Sequence, residues 1–162
     1  MADDIELDPN ESFGVAAARV VRRRADELFA EQEGVLDTDD IERVHDMRVA
    51  TRRLRAALEI FADCWVGGMR SEHKAVLKEV KALADALGER RDPDVQVEEL
   101  EKVAAGMPAV DRPGVEYVIA RMRERQLAAN AVLAAALEHA RDEDLHVRLR
   151  ALSTAALELA AS

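Results

Sequence analysis

The sequence contains little of what several protein classes require. Its single cysteine, Cys64, allows no intrachain disulfide. Aromatic residues make up only 3% of the chain, and alanine and leucine dominate the apolar residues, which favours helix–helix packing over a β-sheet core. No apolar run approaches the roughly 20 residues of a membrane span, and the acidic first residues do not resemble a signal peptide. We therefore expect one domain in the cytoplasm, without membrane association.

Basic charge is also scarce, because the formal net charge is -10 and only 4 of the 23 basic residues are lysines. Such an acidic chain is a poor general binder of nucleic acid, so a site for a polyanion must be a local basic patch. Cys64 has no basic partner at a readable spacing, the histidines are scattered, and no glycine-rich phosphate loop or metal-binding motif occurs. We expect no enzymatic activity, no metal and no cofactor.

Apolar residues recur at helical spacing along most of the chain, and no strand pattern is present. After an acidic lead-in over residues 1–12, the sequence predicts one domain over residues 13–162. We take Gly88 as a helix end and Asp92-Pro93 as a new helix start. The prediction is an all-α antiparallel bundle of about five to six helices, over residues 13–33, 39–65, 72–87, 93–106, 115–140 and 143–160.

One stretch, residues 44–61, stands against the global charge. On a helix turning about 100° per residue, its apolar side chains share one sector, and a row of cations occupies another. Between His45 and Arg55 there are four arginines and one acid. We call the row the α2 stripe, because it lies on the second predicted helix, α2, over residues 39–65. It consists of His45, Arg48, Arg52 and Arg55, with Arg53 to its side.

A second basic row lies on the next predicted helix, where Lys74, Lys78 and Lys81 follow at spacings of four and three. A short connection should place the two helices antiparallel, and two facing cationic rows would repel each other unless an anion lay between them. Arginine suits bidentate phosphate contacts, and lysine supplies mobile charge. The alternative is a solvated helix face whose cations pair with nearby acids.

The sequence VHDMRVATRRLR, residues 44–55, closely resembles the signature of the CHAD family, the conserved-histidine α-helical domain. Residues 77–84 and 87–95 are similar to the family's following helix and its Leu-Gly…Arg-Asp-x-Asp-Val turn. The resemblance implies an all-helical domain that binds inorganic polyphosphate through basic residues in a central groove. Matched by position are His45, Arg48, Arg52, Arg53, Arg55, Lys78, Lys81 and Arg91; Lys74 is added from its row, and Arg19 and Arg22 from the first helix.

Members of this family are typically longer and built from two similar helical halves, and this chain resembles the first half. We therefore expect a homodimer, because a symmetric pair would restore both walls of the groove. Two other functions stay open. The chain could be a helical scaffold for an acidic protein or nucleic acid, or an accessory to phosphoanhydride hydrolysis, although it lacks the ring of carboxylates that such chemistry usually needs.

Overall fold

The computed structural model describes residues 4–162, and all regular structure in that range is helical. The helices are α1 (Phe13–Ala30), α2 (Ile41–Ile60), α3 (Met69–Ala105), α4 (Arg112–Asp142) and α5 (Leu145–Ala160), with a short 3-10 helix at Ala62–Cys64. The predicted all-α bundle is therefore confirmed, with five α-helices. The acidic lead-in is partly described: residues 4–12 precede α1 without forming a helix, and residues 1–3 lie outside the described range.

The core lies where α1, α2, α3 and α5 meet, and α4 packs along α3. Its side chains are mainly alanine, valine and leucine, which lets the helices approach closely. Trp65, between α2 and α3, is 1% exposed, and its indole N–H donates to the Leu152 carbonyl at 3.0 Å. The ring stacks on His73 at 4.8 Å, and His73 Nε2 donates to the Leu58 carbonyl. This connection therefore ties α2, α3 and α5 together.

Helices α2 and α3 run antiparallel, as predicted. Near the end of α2, Leu58 contacts His73 early in α3. At the start of α2, the Ile41 carbonyl accepts a hydrogen bond from Arg91, much later in α3, at 3.4 Å. Later residues of α3 thus contact earlier residues of α2, and the α2 stripe lies beside α3.

The predicted break between residues 87 and 93 is wrong, because α3 continues from Met69 to Ala105 with Gly88 and Pro93 inside it. An internal proline removes one helical hydrogen bond and costs about 3 kcal/mol. Packing against α4 offsets this cost, since Pro93 and Val97 are both buried. Helix α3 also begins at Met69, three residues before the predicted start at residue 72, and the Ser71 hydroxyl in its first turn donates to the Gly68 carbonyl.

A buried polar network holds this part of α3 to α4. Arg90 is 0% exposed and pairs with Asp94, which is 1% exposed. Gln126 donates to the same Asp94 oxygen at 2.6 Å, and Arg90 Nε donates to Asn130 at 3.2 Å. Asn130 in turn donates to the Leu36 carbonyl in the loop before α2. Residues 87–95 therefore contribute structural side chains that anchor α4 and the loop before α2.

Beyond this network, the end of α3 and the start of α4 extend past the core. No residue between 98 and 125 is buried. This projecting hairpin, residues 98–125, exposes large apolar side chains, among them Val110 at 83% and Tyr117 at 66%. No helix within residues 4–162 is long and apolar enough to cross a membrane.

Candidate functional site

The α2 stripe lies on the side of α2 that borders α3. Met47 and Leu54 hold the helix in the core, since both are fully buried. The stripe begins about a quarter-turn or more from these residues, because successive helical positions are about 100° apart. His45 and Arg48 are half-buried, and Arg52 is exposed. The predicted alignment of cations on one flank of a core-anchored helix is therefore present.

Three basic residues at the start of this flank have no acidic partner in the described part of the chain. Within residues 4–162, His45, Arg48 and Arg52 make no hydrogen bond through their side chains and no ion pair. Arg53 is also exposed and unpaired in the described structure, but it lies about 100° further round α2 than Arg52. Arginine donates five hydrogen bonds in a planar fork, so the unpaired guanidinium groups are ready oxyanion ligands.

The far end of the stripe meets α3 through an acidic residue. Arg55 Nε lies 3.1 Å from Glu59 Oε1, and Lys81 Nζ of α3 lies 3.3 Å from the same oxygen. This pairing with Arg55 lowers the pKa of Glu59 below its usual value. Arg55 and Lys81 are thus brought together from two helices, as the facing rows predicted, around a carboxylate.

Helix α3 lacks a side chain at Gly88. This position lies between Lys81 and Arg91, both of which contact α2. A Cβ at Gly88 would meet no atom within 4 Å. A side chain introduced there would therefore have room on this part of α3.

The lysine row is not brought together as one wall. Lys78 borders a different cavity, of about 350 Å³, between α3, α4 and the start of α5, where His139 and Leu145 also lie. Lys74 is exposed and has no partner in the described part of the chain. Only Lys81 contacts a residue of α2. Lys81 therefore contacts α2, whereas Lys78 borders the cavity next to α4.

The remaining predicted residues have separate positions. Arg91 is half-buried and donates to the Ile41 carbonyl, so it holds the start of α2 rather than extending freely into solvent. Arg19 on α1 donates to the Glu6 carbonyl at 2.9 Å, and Arg22 borders a groove between α1 and α5. The structure does not bring Arg19 or Arg22 to the α2 stripe.

Arg90 is a buried residue next to Arg91, and only Arg91 was predicted from the sequence as a site residue. The spacing of three and four along Leu87, Arg90, Asp94 and Val97 would have placed Arg90 on the buried face of α3.

Cys64 is half-buried, and burial raises the pKa of its thiol. No group of three potential metal ligands occurs within residues 4–162.

Comparison with known families identifies the family of the chain. A model of the CHAD domain matches residues 19–162, nearly the whole chain. The chain belongs to the CHAD family. No curated protein and no solved structure matches it. In this CHAD domain, residues 44–55 supply the α2 stripe. Residues 77–95 supply Lys81, Gly88 and the buried Arg90–Asp94 pair.

Proposed function

We propose that this CHAD domain binds inorganic polyphosphate along the α2 stripe and does not catalyse its cleavage. One observation carries the proposal: Arg48 and Arg52 have no acidic partner among residues 4–162, although the chain has ten more acidic than basic residues. Unpaired cations beside one another repel, and a bound polyanion would relieve that repulsion.

The spacing of the cations favours a repeating anion over a single one. From His45 to Arg55 the helix rises about 15 Å at 1.5 Å per residue. One orthophosphate would reach one or two of these groups, whereas a phosphate chain would contact the stripe along its length. Affinity from several phosphate contacts should fall steeply as salt increases, because each contact releases counterions.

Replacing both unpaired arginines tests the proposal. The Arg48→Ala/Arg52→Ala variant should lose long-chain polyphosphate binding by about 100-fold, since each charged contact contributes about 1.5 kcal/mol. Isothermal titration calorimetry at low salt measures the loss, and circular dichroism checks that helicity is unchanged. The control is Arg121→Ala/Arg141→Ala, which removes two arginines of α4 that are 62% and 69% exposed. Equal affinities of the two double variants would refute the site.

Competition and turnover experiments separate the other functions. Polyphosphate should displace a fluorescent polyphosphate probe, whereas DNA and RNA of matched charge should displace it weakly at the same salt concentration. Displacement by nucleic acid at equal charge concentration would favour the scaffold function. Phosphate release from polyphosphate in the presence of Mg²⁺ or Mn²⁺ would contradict the non-catalytic part of the proposal.

We also propose that two copies associate through the projecting hairpin. Its apolar side chains are exposed, since no residue between 98 and 125 is buried. Exposed apolar patches mark interaction surfaces. Symmetric pairing of one surface gives a closed dimer. The residues concerned are Val103, Val110, Tyr117 and Val118.

Light scattering at micromolar concentration should give the mass of a dimer. The Tyr117→Glu/Val118→Glu variant should give that of a monomer, because it places charge in the apolar surface. The variant Val147→Glu, at a 64% exposed position on α5, is the control and should remain dimeric. A monomeric wild-type chain would refute dimerisation without affecting the polyphosphate site.

A further inference from the structure

Glu59 occupies an unusual position within the basic surface. Its Oε1 atom lies between the Arg55 guanidinium of α2, at 3.1 Å, and the Lys81 ammonium of α3, at 3.3 Å. Glu59 is the acidic residue that contacts both the last residue of the α2 stripe, Arg55, and Lys81 of α3. One carboxylate oxygen therefore joins the two basic helices at a single point.

We propose that Glu59 is an internal competitor that fills a phosphate subsite formed by Arg55 and Lys81, and that a phosphate of the bound chain displaces it. This inference rests on the proposed polyphosphate function and concerns the far end of the same site. An anionic oxygen shared by a guanidinium and an ammonium is the arrangement that a phosphate oxygen adopts between such groups.

Displacement is physically accessible because the three side chains are only partly covered. The side chains of Arg55, Glu59 and Lys81 are 46%, 44% and 43% exposed. Surface ion pairs of this kind are weak and screened by salt. A polyanion that already contacts Arg48 and Arg52 would compete for Arg55 and Lys81 at high local concentration. Glu59 can then turn into solvent.

The carboxylate also sets how strongly the end of the site binds. Pairing with Arg55 lowers the pKa of Glu59, so it is ionised at neutral pH. While in place, it neutralises part of the charge of two cations, and after displacement it repels the neighbouring phosphates. The wild-type protein should therefore bind polyphosphate less tightly than its count of basic residues allows.

The Glu59→Gln variant tests this role because it removes the charge and keeps the shape. We expect polyphosphate affinity to rise by about three- to tenfold, since two weak surface pairs no longer compete. The slope of log affinity against log salt should become steeper by about one, because no freed carboxylate takes up a cation when the ligand binds to the variant. The matched control is Glu99→Gln, which also breaks an exposed acid–lysine pair, Lys102–Glu99 at 3.1 Å, but on the projecting hairpin.

The outcomes distinguish this inference from the proposed function. Tighter binding and a steeper slope in Glu59→Gln, with Glu99→Gln unchanged, would support the competitor role. Weaker binding would show that Glu59 organises Arg55 and Lys81 for the ligand, and equal gains in both variants would show a general charge effect; either result would overturn the inference while leaving polyphosphate binding intact. A wild-type chain that binds no polyphosphate at low salt would overturn both.

Discussion

On α5, Arg148 lies 2.7 Å from Glu72 and 2.6 Å from Glu79, and these pairs raise its pKa. On α2, Arg48 and Arg52 have no such partner among residues 4–162. Both helices belong to the same acidic chain, so a shortage of carboxylates does not account for the contrast. Arg148 joins α5 to α3, whereas Arg48 and Arg52 of α2 contact no acidic side chain within residues 4–162.

The neighbours of Arg148 follow the same pattern. His146 and Arg150 both contact Asp26 of α1, at 2.7 and 3.1 Å, and His146 stacks on Phe29 at 4.5 Å. These two basic side chains bridge α5 to α1 within the folded chain. A basic residue is therefore better interpreted by its counter-ion than by its charge: paired cations between helices stabilise the fold, and unpaired cations in a row are available to a ligand.

Of the two contrasted kinds of arginine, Arg148 should have the larger effect on stability when it is removed. Arg148→Ala leaves the half-buried carboxylates of Glu72 and Glu79 close together without their cation, and we expect a loss of about 2 kcal/mol in the free energy of unfolding. Arg48→Ala, by contrast, should change it by less than about 0.5 kcal/mol. Urea denaturation of the two variants measures both quantities. Equal losses would contradict the division between structural and ligand-binding cations.

Adding an acidic partner for Arg52 on α2 should remove the contrast between α2 and α5 without deleting any arginine. Ala56 is exposed and lies four residues after Arg52, so Ala56→Glu can pair with it along the helix. Polyphosphate affinity should then fall by about tenfold, from pairing and from repulsion of the ligand. Ala56→Gln controls for side-chain size and should bind as the wild type does. Titration of both variants decides the point; unchanged binding in Ala56→Glu would place the ligand elsewhere.

Gly88 of α3 gives a third comparison. Gly88→Ala should stabilise α3 by about 0.5–1 kcal/mol, because glycine is unfavourable inside a helix and the added Cβ has room. Its polyphosphate affinity should not change. Gly88→Glu places a carboxylate between Lys81 and Arg91, which both contact α2, and should weaken binding severalfold. Thermal unfolding and titration give the two readouts, and equal affinity of both variants would show that the ligand does not approach Gly88.

The smallest effect should be the pH dependence contributed by Glu59. Its pKa in the folded protein is below the ordinary 4.5, chiefly because of the hydrogen bond from Arg55. A carboxyl with a lowered folded-state pKa adds stability above its unfolded-state pKa and loses it as the pH falls through the folded-state value. The wild type should thus exceed Glu59→Gln slightly in stability at neutral pH and match it in strong acid. Urea unfolding across that range measures the difference; a gap that widens in acid would contradict this sign.

The helical periods predicted the fold class and the α2 stripe because both depend on local spacing. The stripe residues Arg48 and Arg52 follow from α2 alone. The continuity of α3 does not, because Gly88 and Pro93 are helix breakers locally and only the burial of Pro93 against α4 outweighs them. Burial of Arg90 likewise depends on Gln126 and Asn130, which come from a helix more than thirty residues later.

Which cations are paired could also not be predicted from the sequence alone. Glu59 is a neighbour of Arg55 at helical spacing, so that pair is readable, but its contact with Lys81 needs the register of α2 against α3. The separation of Lys78 from Lys81 depends on where α4 lies, since Lys78 borders the cavity next to that helix. Sequence spacing identifies which cations share a helix face, and tertiary packing decides which of them remain unpaired.

A crystal structure of the chain with bound polyphosphate would test the central claim most directly. We expect phosphate oxygens within hydrogen-bonding distance, about 3 Å, of the guanidinium groups of Arg48 and Arg52, with the chain running between α2 and α3. Phosphates bound instead along α5 or the projecting hairpin, with Arg48 and Arg52 still without a ligand, would contradict it.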